Sequence, residues 1–170
     1  MERIAKFEKV SFGQFAADWS KNYPDCTEDK IKEIYEAIPL PVRATAGSAG
    51  YDFCLPDGIE LAAGEGMLIP TGIRAKIADG WVLNIYPRSG LGFKFRLQLD
   101  NTVGIIDADY YNAANEGHIM VKVTNDGRHG KTLSLERGKG FAQGVFLPFG
   151  ITVDDEADGE RVGGFGSTNV

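Results

Sequence analysis

The sequence predicts an all-β fold of the sandwich or barrel kind, with a short helical segment near its N-terminus. From Ala46 onward the apolar residues lose any helical period and fall into short or alternating runs. Turn signals such as PDG, AAGEG, NDGRHG and ERGKG separate these runs, a pattern typical of many short strands. The length of 170 residues favours one compact domain over two.

The expected strands are short and closely spaced. Residues 1–10 alternate well enough to form the first, with Ile4, Phe7 and Val10 as its apolar positions. A further strand is expected to carry Asp52, directly after a Gly-Ser-Ala-Gly turn. The others are predicted at 59–61, 67–69, 73–77, 81–86, 95–99, 119–123, 132–135 and 142–149.

Residues 11–38 are predicted to form two helices, because apolar residues recur there at helical spacing in two groups. Tyr23-Pro24-Asp25 separates the groups, and Pro39 ends the second. Thr27 and the acidic residues after it are typical of an N-cap and first turn. We interpret this segment as a decoration of the surface without a catalytic part.

We predict a single β domain over residues 1–150, with 11–38 as its helical insertion, followed by a flexible C-terminal arm over 151–170. The arm is expected to be flexible because an acidic stretch precedes a glycine-rich tail with almost nothing to bury.

Charge and composition exclude several function classes. With 18 Lys and Arg against 24 Asp and Glu, the net charge of −6 argues against binding a nucleic-acid backbone. No apolar run reaches the roughly 20 residues of a membrane span, and no signal-peptide stretch is visible, so no membrane partner is expected. Cys26 and Cys54 are too far apart for a CxxC motif and indicate reduced thiols in the cytoplasm. The 22 glycines are about twice the number that average usage of roughly 7% gives.

Five segments carry residues suited to chemistry. AGSAGYDF at 46–53 is a tight turn followed by Asp52. YPRSGLGFK at 86–94 offers a guanidinium, a hydroxyl and an open backbone N–H, groups that suit phosphate oxygens, although Pro-Arg-Ser-Gly alone is an ordinary turn. In the segment at 99–121, Asp107 lies between apolar residues, where a carboxylate can act as a general base on water; the alternative is a plain hairpin turn.

The other two segments lie further along the chain. GKGFAQGVF at 138–146 places the polar Gln143 in an apolar strand, where it needs a backbone group or a ligand as partner. RVGGFGSTNV at 161–170 sets an Arg, an aromatic ring and a Ser-Thr pair in a glycine frame that could fold over a ligand, or be an ordinary tail.

Together, in this order and spacing, the five segments resemble the five motifs of the trimeric dUTPases over roughly residues 46–168. GSAGYD, PRSGL, NxxGxIDxDY and GGFGST carry the resemblance. The long YYNAANEGHI turn is similar to the subgroup from Gram-positive bacteria and their phages. The resemblance implies a β jelly roll and a homotrimer with shared active sites. It also implies hydrolysis of dUTP to dUMP and pyrophosphate, with Mg²⁺ on the triphosphate.

The resemblance implies a role for each matching residue. Asp107 would activate the water, and Tyr110 would pack under the deoxyribose. The positions that would meet the uracil edge are Asn101, Gly104, Ile105, Ile106 and Met120. Those that would hold phosphates are Arg88, Ser89, Gly90 and Gln143, with Asp52 near metal-bound water or a neighbouring chain. In the tail, Phe165 would cover the uracil, and Arg161, Gly166 and Ser167 would close on the phosphates.

Three features depart from the family pattern. Gly140 stands where the fourth motif usually has Arg, a contact that Lys139 could supply. Arg161 is one residue closer to Phe165 than usual, and 11–38 has no counterpart in the minimal family. The alternatives are a dCTP deaminase-type enzyme of the same fold and a regulatory nucleotide-binding protein without activity. A third alternative is an all-β domain that only mediates interactions.

Overall fold

In a computed structural model, which describes residues 2–127, 129–159 and 163, the chain is built mainly from short strands. The strands are β1 (Ala5–Lys9), β2 (Val42–Arg43), β3 (Tyr51–Cys54), β4 (Ile59–Leu61), β5 (Gly66–Pro70), β6 (Ile73–Ile77), β7 (Trp81–Pro87), β8 (Leu97–Leu99), β9 (Gly104–Ile106), β10 (Met120–Asn125), β11 (Leu133–Leu135) and β12 (Gly140–Pro148). The helices are α1 (Phe12–Asn22), α2 (Glu28–Ala37) and α3 (Ser89–Phe95), with a 3₁₀ helix at Ala108–Asn112.

The strands pair in four antiparallel sheets. The largest has the order β2-β3-β12-β7-β9 and the next the order β5-β10-β8, while β1 pairs with β6 and β11 with β4. The prediction of an all-β fold with a helical insertion is confirmed, and the predicted strands lie within a few residues of the observed ones. Among the described residues, the pairings do not close into one continuous barrel.

The core follows from alternation along these strands. In β6, the side chains of Ile73, Ala75 and Ile77 are buried, while Arg74 and Lys76 between them point away from the core. The same in-and-out pattern recurs in the short strands of the other sheets. Their inward side chains form one apolar cluster, which holds the sheets together through burial of nonpolar surface.

The two N-terminal helices are part of this core. Phe15 and Trp19 of α1 and Ile31 and Ile34 of α2 are buried in the same cluster as the strand residues. Thr27 caps α2 by accepting the backbone N–H of Lys30, as its sequence predicts. The prediction of two helices at 11–38 is confirmed. Their apolar faces pack into the core, so they are not merely a decoration of the surface.

One segment differs from the prediction. Residues 86–94 are not a simple turn, because α3 begins at Ser89 and continues to Phe95, so that β8 starts only at residue 97. Gly90 and Gly92 lie inside this helix, and their low helix propensity conceals it in the sequence.

The end of the chain carries no helix or strand over residues 151–159, which are exposed. Most of the predicted arm lies outside the described residues. Within the part of the chain that the structure covers, none of the helices has the length and apolar character needed to cross a bilayer.

Candidate active site

A cavity of about 390 Å³ opens between β7, β9 and β10. Four of the residues expected at a uracil line it together, namely Asn101, Gly104, Ile106 and Met120. Its remaining walls are mainly apolar, with Asp100 and Lys122 as the other polar members: Leu68, Ile85, Leu99, Asp100, Ile119, Val121 and Lys122. A pocket with apolar walls and a polar edge suits a flat heterocycle.

The polar edge of this cavity is a tight turn between β8 and β9. The N–H of Thr102 donates to the carbonyl of Leu99 at 2.9 Å, and the N–H of Val103 donates to the carbonyl of Asn101 at 2.7 Å. Thr102 has a φ of 65°, a left-handed conformation that is rare for a β-branched residue. The turn therefore holds Asn101 at the rim in a constrained backbone geometry.

Ile105, between Gly104 and Ile106, does not line the cavity. Its side chain is 59% exposed, because alternation along β9 turns it to the outer face. Any contact of this residue with a base would therefore be made by its backbone.

Asp107 follows β9 directly and occupies the N-cap position of the 3₁₀ helix. It is half-buried, and its carbonyl accepts the N–H of Tyr110 at 3.2 Å. Tyr110 is only 2% exposed, and its hydroxyl donates to the carbonyl of His118 at 2.7 Å. Tyr110 lines neither this cavity nor the next one described, and in the single chain its ring is covered along with its hydroxyl.

The second expected group lines a different cavity, of about 510 Å³, where β7 meets α3. Arg88, Ser89 and Gly90 lie on one side of it. The opposite side includes Lys139, which the sequence suggested as a substitute for a missing arginine, and Gly140. The remaining lining residues are Leu91, Ser134, Leu135 and Glu136. The arrangement of a guanidinium, an ammonium and two hydroxyls suits phosphate oxygens.

Arg88 is held between Asp52 and Gly140. Its Nε lies 3.4 Å from Oδ1 of Asp52, and its Nη1 donates to the carbonyl of Gly140 at 3.5 Å. A Cβ at position 140 would lie 2.7 Å from that Nη1. The absence of the usual arginine at position 140 thus leaves room for Arg88 itself.

Gln143 lies beside this cavity without lining it. On β12 it stands in register with Asp52 of β3 and Tyr86 of β7, and its Nε2 donates to the carbonyl of Pro87 at 3.3 Å. A Cβ at Gly50 would meet its Oε1 at 2.7 Å, so the first motif must have a glycine there for this packing. The side chain therefore has a backbone partner within its own chain.

The two cavities share no lining residue. In the pairing of β7 with β9, Ile106 lies opposite Leu83, which places Asp107 next to Val82. Arg88 lies six residues after Val82, directly beyond the end of β7. At about 3.3 Å per residue, Asp107 and Arg88 of one chain are about 20 Å apart. One phosphorus atom cannot be served by both.

The described residues hold no group of three or more His, Cys, Asp or Glu side chains arranged to bind a metal ion. A divalent ion at the phosphate side would therefore rely on ligands other than a protein cage, as Mg²⁺ commonly does with phosphates.

Comparison with known proteins agrees with this geometry. The sequence model of the dUTPase family matches residues 36–169, most of the chain. The chain belongs to the dUTPase family. The match begins after α1 and most of α2 and so leaves out most of residues 11–38.

Individual dUTPases are similar over most of their length. The deoxyuridine 5'-triphosphate nucleotidohydrolase of Lactococcus lactis is 44% identical over 136 residues, covering 78% of this chain and 89% of the relative. The dUTPase structure from Streptococcus mutans has a TM-score of 0.62 at 37% identity and covers 86% of this chain and 97% of its own. A mutant dUTPase of phage phi11 of S. aureus, described with a structural Mg(II) ion, shares the fold at 18% identity and a TM-score of 0.63, covering 92% and 98%. The family predicted from the five motifs is confirmed.

The predicted tail residues Arg161, Phe165, Gly166 and Ser167 lie outside the described residues. The sequence analysis also missed some residues that the structure places near the site. Asp18, Ser11, Glu116 and His118 join α1 to the turn after Asp107. The one signal in the sequence is Asp18, a carboxylate that lies beside Phe15 and Trp19 on the apolar face of the predicted helix.

Proposed function

We propose that this chain hydrolyses dUTP to dUMP and pyrophosphate by the attack of an Asp107-activated water on the α-phosphorus. The observation that carries the proposal is that seven motif residues line two cavities: Asn101, Gly104, Ile106 and Met120 line one with apolar walls, and Arg88, Ser89 and Gly90 line one that also holds Lys139. Family membership supports the same reaction, since the relatives are named for it.

We assign the nucleobase to the cavity at Asn101, Gly104, Ile106 and Met120. Backbone groups of a constrained turn can match the uracil edge and leave their own polar atoms unpaired with cytosine, which is costly in an apolar pocket. The backbone of Ile105 is assigned to the same edge. This arrangement supports selection of uracil over cytosine.

We assign the sugar to the ring of Tyr110. Because Tyr110 is buried and its hydroxyl is bonded to His118, its ring is held in one position. A fixed ring beneath the deoxyribose would leave a 2′-hydroxyl neither space nor a partner. The ring would therefore select dUTP over UTP.

We assign the triphosphate to Arg88, Ser89 and Gly90, with Gln143 beside them and the tail residues Arg161, Phe165, Gly166 and Ser167 closing the site. Mg²⁺, when bound to the triphosphate, supplies neutralisation of phosphate charge. Asp52 would contact it through water. The carboxylate of Asp107 accepts the proton of the attacking water. The cavity lined by Arg88 orients the phosphates for in-line attack.

We propose that the complete site lies between subunits of a homotrimer. The separation of about 20 Å between Asp107 and Arg88 supports it, because the two must act at one triphosphate. Exposed apolar side chains support it as well, since Ile105, Phe149 and Ile151 are each more than half exposed in the single chain. The free thiols of Cys26 and Cys54 support action in the reducing cytoplasm.

The test is release of pyrophosphate from dUTP with Mg²⁺, with dCTP, dTTP and UTP as parallel substrates. We expect turnover of dUTP and little of the other three. No release from dUTP at micromolar enzyme would contradict the proposal. Release of ammonia from dCTP would instead support the deaminase alternative, and tight binding of dUTP without turnover the regulatory one.

A further inference from the structure

The helical segment and the turn after Asp107 are joined at two points. The carboxylate of Glu116 accepts both the backbone N–H and the hydroxyl of Ser11, each at 2.7 Å, where Ser11 is the N-cap of α1. Further along the same helix, Oδ2 of Asp18 lies 2.7 Å from Nδ1 of His118. The residues in these two pairs are 105 and 100 positions apart in sequence.

The buried histidine has a defined tautomer. Nε2 of His118 accepts the backbone N–H of Gly72 at 2.8 Å, so that nitrogen carries no proton. Nδ1 therefore holds the hydrogen and donates it to Asp18. His118 is fully buried, and both ring nitrogens are bonded, which fixes the ring and the backbone that carries it.

The backbone of His118 in turn fixes Tyr110. The carbonyl of His118 accepts the hydroxyl of Tyr110 at 2.7 Å, and Nδ2 of Asn115 donates to the same hydroxyl at 2.8 Å. The next two residues, Ile119 and Met120, line the nucleobase cavity. Hydrogen bonds thus connect Asp18 of α1 to the ring of His118 and the carbonyl of His118 to Tyr110, and the backbone continues from His118 into the cavity wall.

The carboxylate at the start of this chain is kept charged. Burial alone would raise the pKa of Asp18, but hydrogen bonds from His118, Gln14 and Lys21 outweigh it and hold the pKa far below its ordinary value. A buried, charged acceptor with three donors is a rigid anchor, because losing any partner leaves it poorly solvated.

We propose that Asp18 and His118 are positioning residues for substrate specificity: through the carbonyl of His118 they fix the ring of Tyr110 at the distance that excludes a ribose. This inference rests on the proposed function, in which Tyr110 lies under the deoxyribose. It also gives the segment 11–38 a task at the site. The connection joins the helical segment to the long YYNAANEGHI turn.

The experiment compares kcat/KM for dUTP and for UTP, and their ratio, in folded samples of Asp18→Ala, Asp18→Asn and wild type. We expect Asp18→Ala to lower the ratio by about 10- to 100-fold, because a ring free to shift by a fraction of an ångström admits the 2′-hydroxyl. Asp18→Asn should retain most of the ratio, because its amide oxygen still accepts the Nδ1–H of His118. Both variants lose the ion pair with Lys21, so a purely structural role would move them together.

Tyr110→Phe is a further variant, which tests the same connection without changing α1. It removes the bond to the carbonyl of His118, and we expect it to lower the dUTP to UTP ratio to a similar extent. Adding Asp18→Ala to Tyr110→Phe should then change little more, since both act through one connection. The matched control is Asp29→Asn, an exposed carboxylate on α2, which should keep the wild-type ratio.

The outcomes separate the two proposals. A wild-type enzyme that does not prefer dUTP to UTP would overturn the proposed function and this inference with it. If the wild type prefers dUTP and a folded Tyr110→Phe or Asp18→Ala retains that preference, the inference alone is wrong. Fully additive losses in the double variant would also overturn it, because they would assign Asp18 and Tyr110 to separate effects.

Discussion

At the residue scale, the proposed chemistry depends on a single carboxylate. Asp107→Asn keeps the shape of the side chain but removes the proton acceptor. We expect kcat for dUTP to fall by about 10²- to 10⁴-fold while the affinity for a non-hydrolysable dUTP analogue changes little. Steady-state kinetics and calorimetry measure the two quantities. Asp109→Asn, two residues away and exposed, is the control and should turn over nearly as wild type. Turnover by Asp107→Asn within a few-fold of wild type would mean the base is misassigned.

A substitution at Gly140 tests, also at the residue scale, whether Arg88 binds the substrate. The added methyl of Gly140→Ala would lie 2.7 Å from Nη1 of Arg88, the end of a flexible side chain, so the guanidinium must move while the fold remains. We expect KM for dUTP to rise about tenfold, equivalent to one charge-assisted hydrogen bond at roughly 1.5 kcal/mol, with kcat little changed. Gly150→Ala, where a Cβ meets nothing within 4 Å, is the matched control. An unchanged KM would show that Arg88 does not bind substrate from its present position.

At the element scale, α1 is anchored to the turn after Asp107 by a charged group, so the anchor should depend on pH. The pKa of Asp18 is lowered on folding, so its contribution to stability is present above the ordinary carboxyl range and lost as pH falls through and below it. We expect wild type to be more stable than Asp18→Asn at pH 6 and this difference to shrink as the pH is lowered to about 3. Urea unfolding at each pH measures it. A difference that stays constant or grows toward low pH would contradict the anchor.

The elements also show what the sequence could and could not predict. Helices α1 and α2 were predictable because apolar periodicity and the Thr27 cap are local signals. Helix α3 was not, since Gly90 and Gly92 lower its helix propensity and its residues resemble a turn. The motifs identified the family, but which of their residues share a cavity depended on the register of β7 with β9. The bond between Asp18 and His118 joins residues 100 apart, which no local pattern encodes.

At the scale of the whole molecule, one chain presents two separate cavities lined by motif residues. By the pairing of β7 with β9, Asp107 lies toward one end of β7 and Arg88, with its cavity, at the other, while the nucleobase cavity meets β7 at Ile85. The net charge of −6 is compatible with a polyanionic substrate because Arg88 and Lys139 are both brought to one small cavity. The glycines that matter there are few: Gly140 leaves room for Arg88 and Gly50 for Gln143. In the proposed homotrimer, neighbouring subunits would bring the two sets of residues together.

Subunit complementation tests this central claim most directly. Asp107→Asn and Arg88→Ala are each expected to be nearly inactive for dUTP hydrolysis as pure proteins. If the site lies between subunits, unfolding and refolding an equimolar mixture should create intact sites, about a quarter of the total with random mixing, and restore a matching share of wild-type kcat. If the base and the phosphate-binding cation come from the same chain, the mixed protein will remain as inactive as its two components.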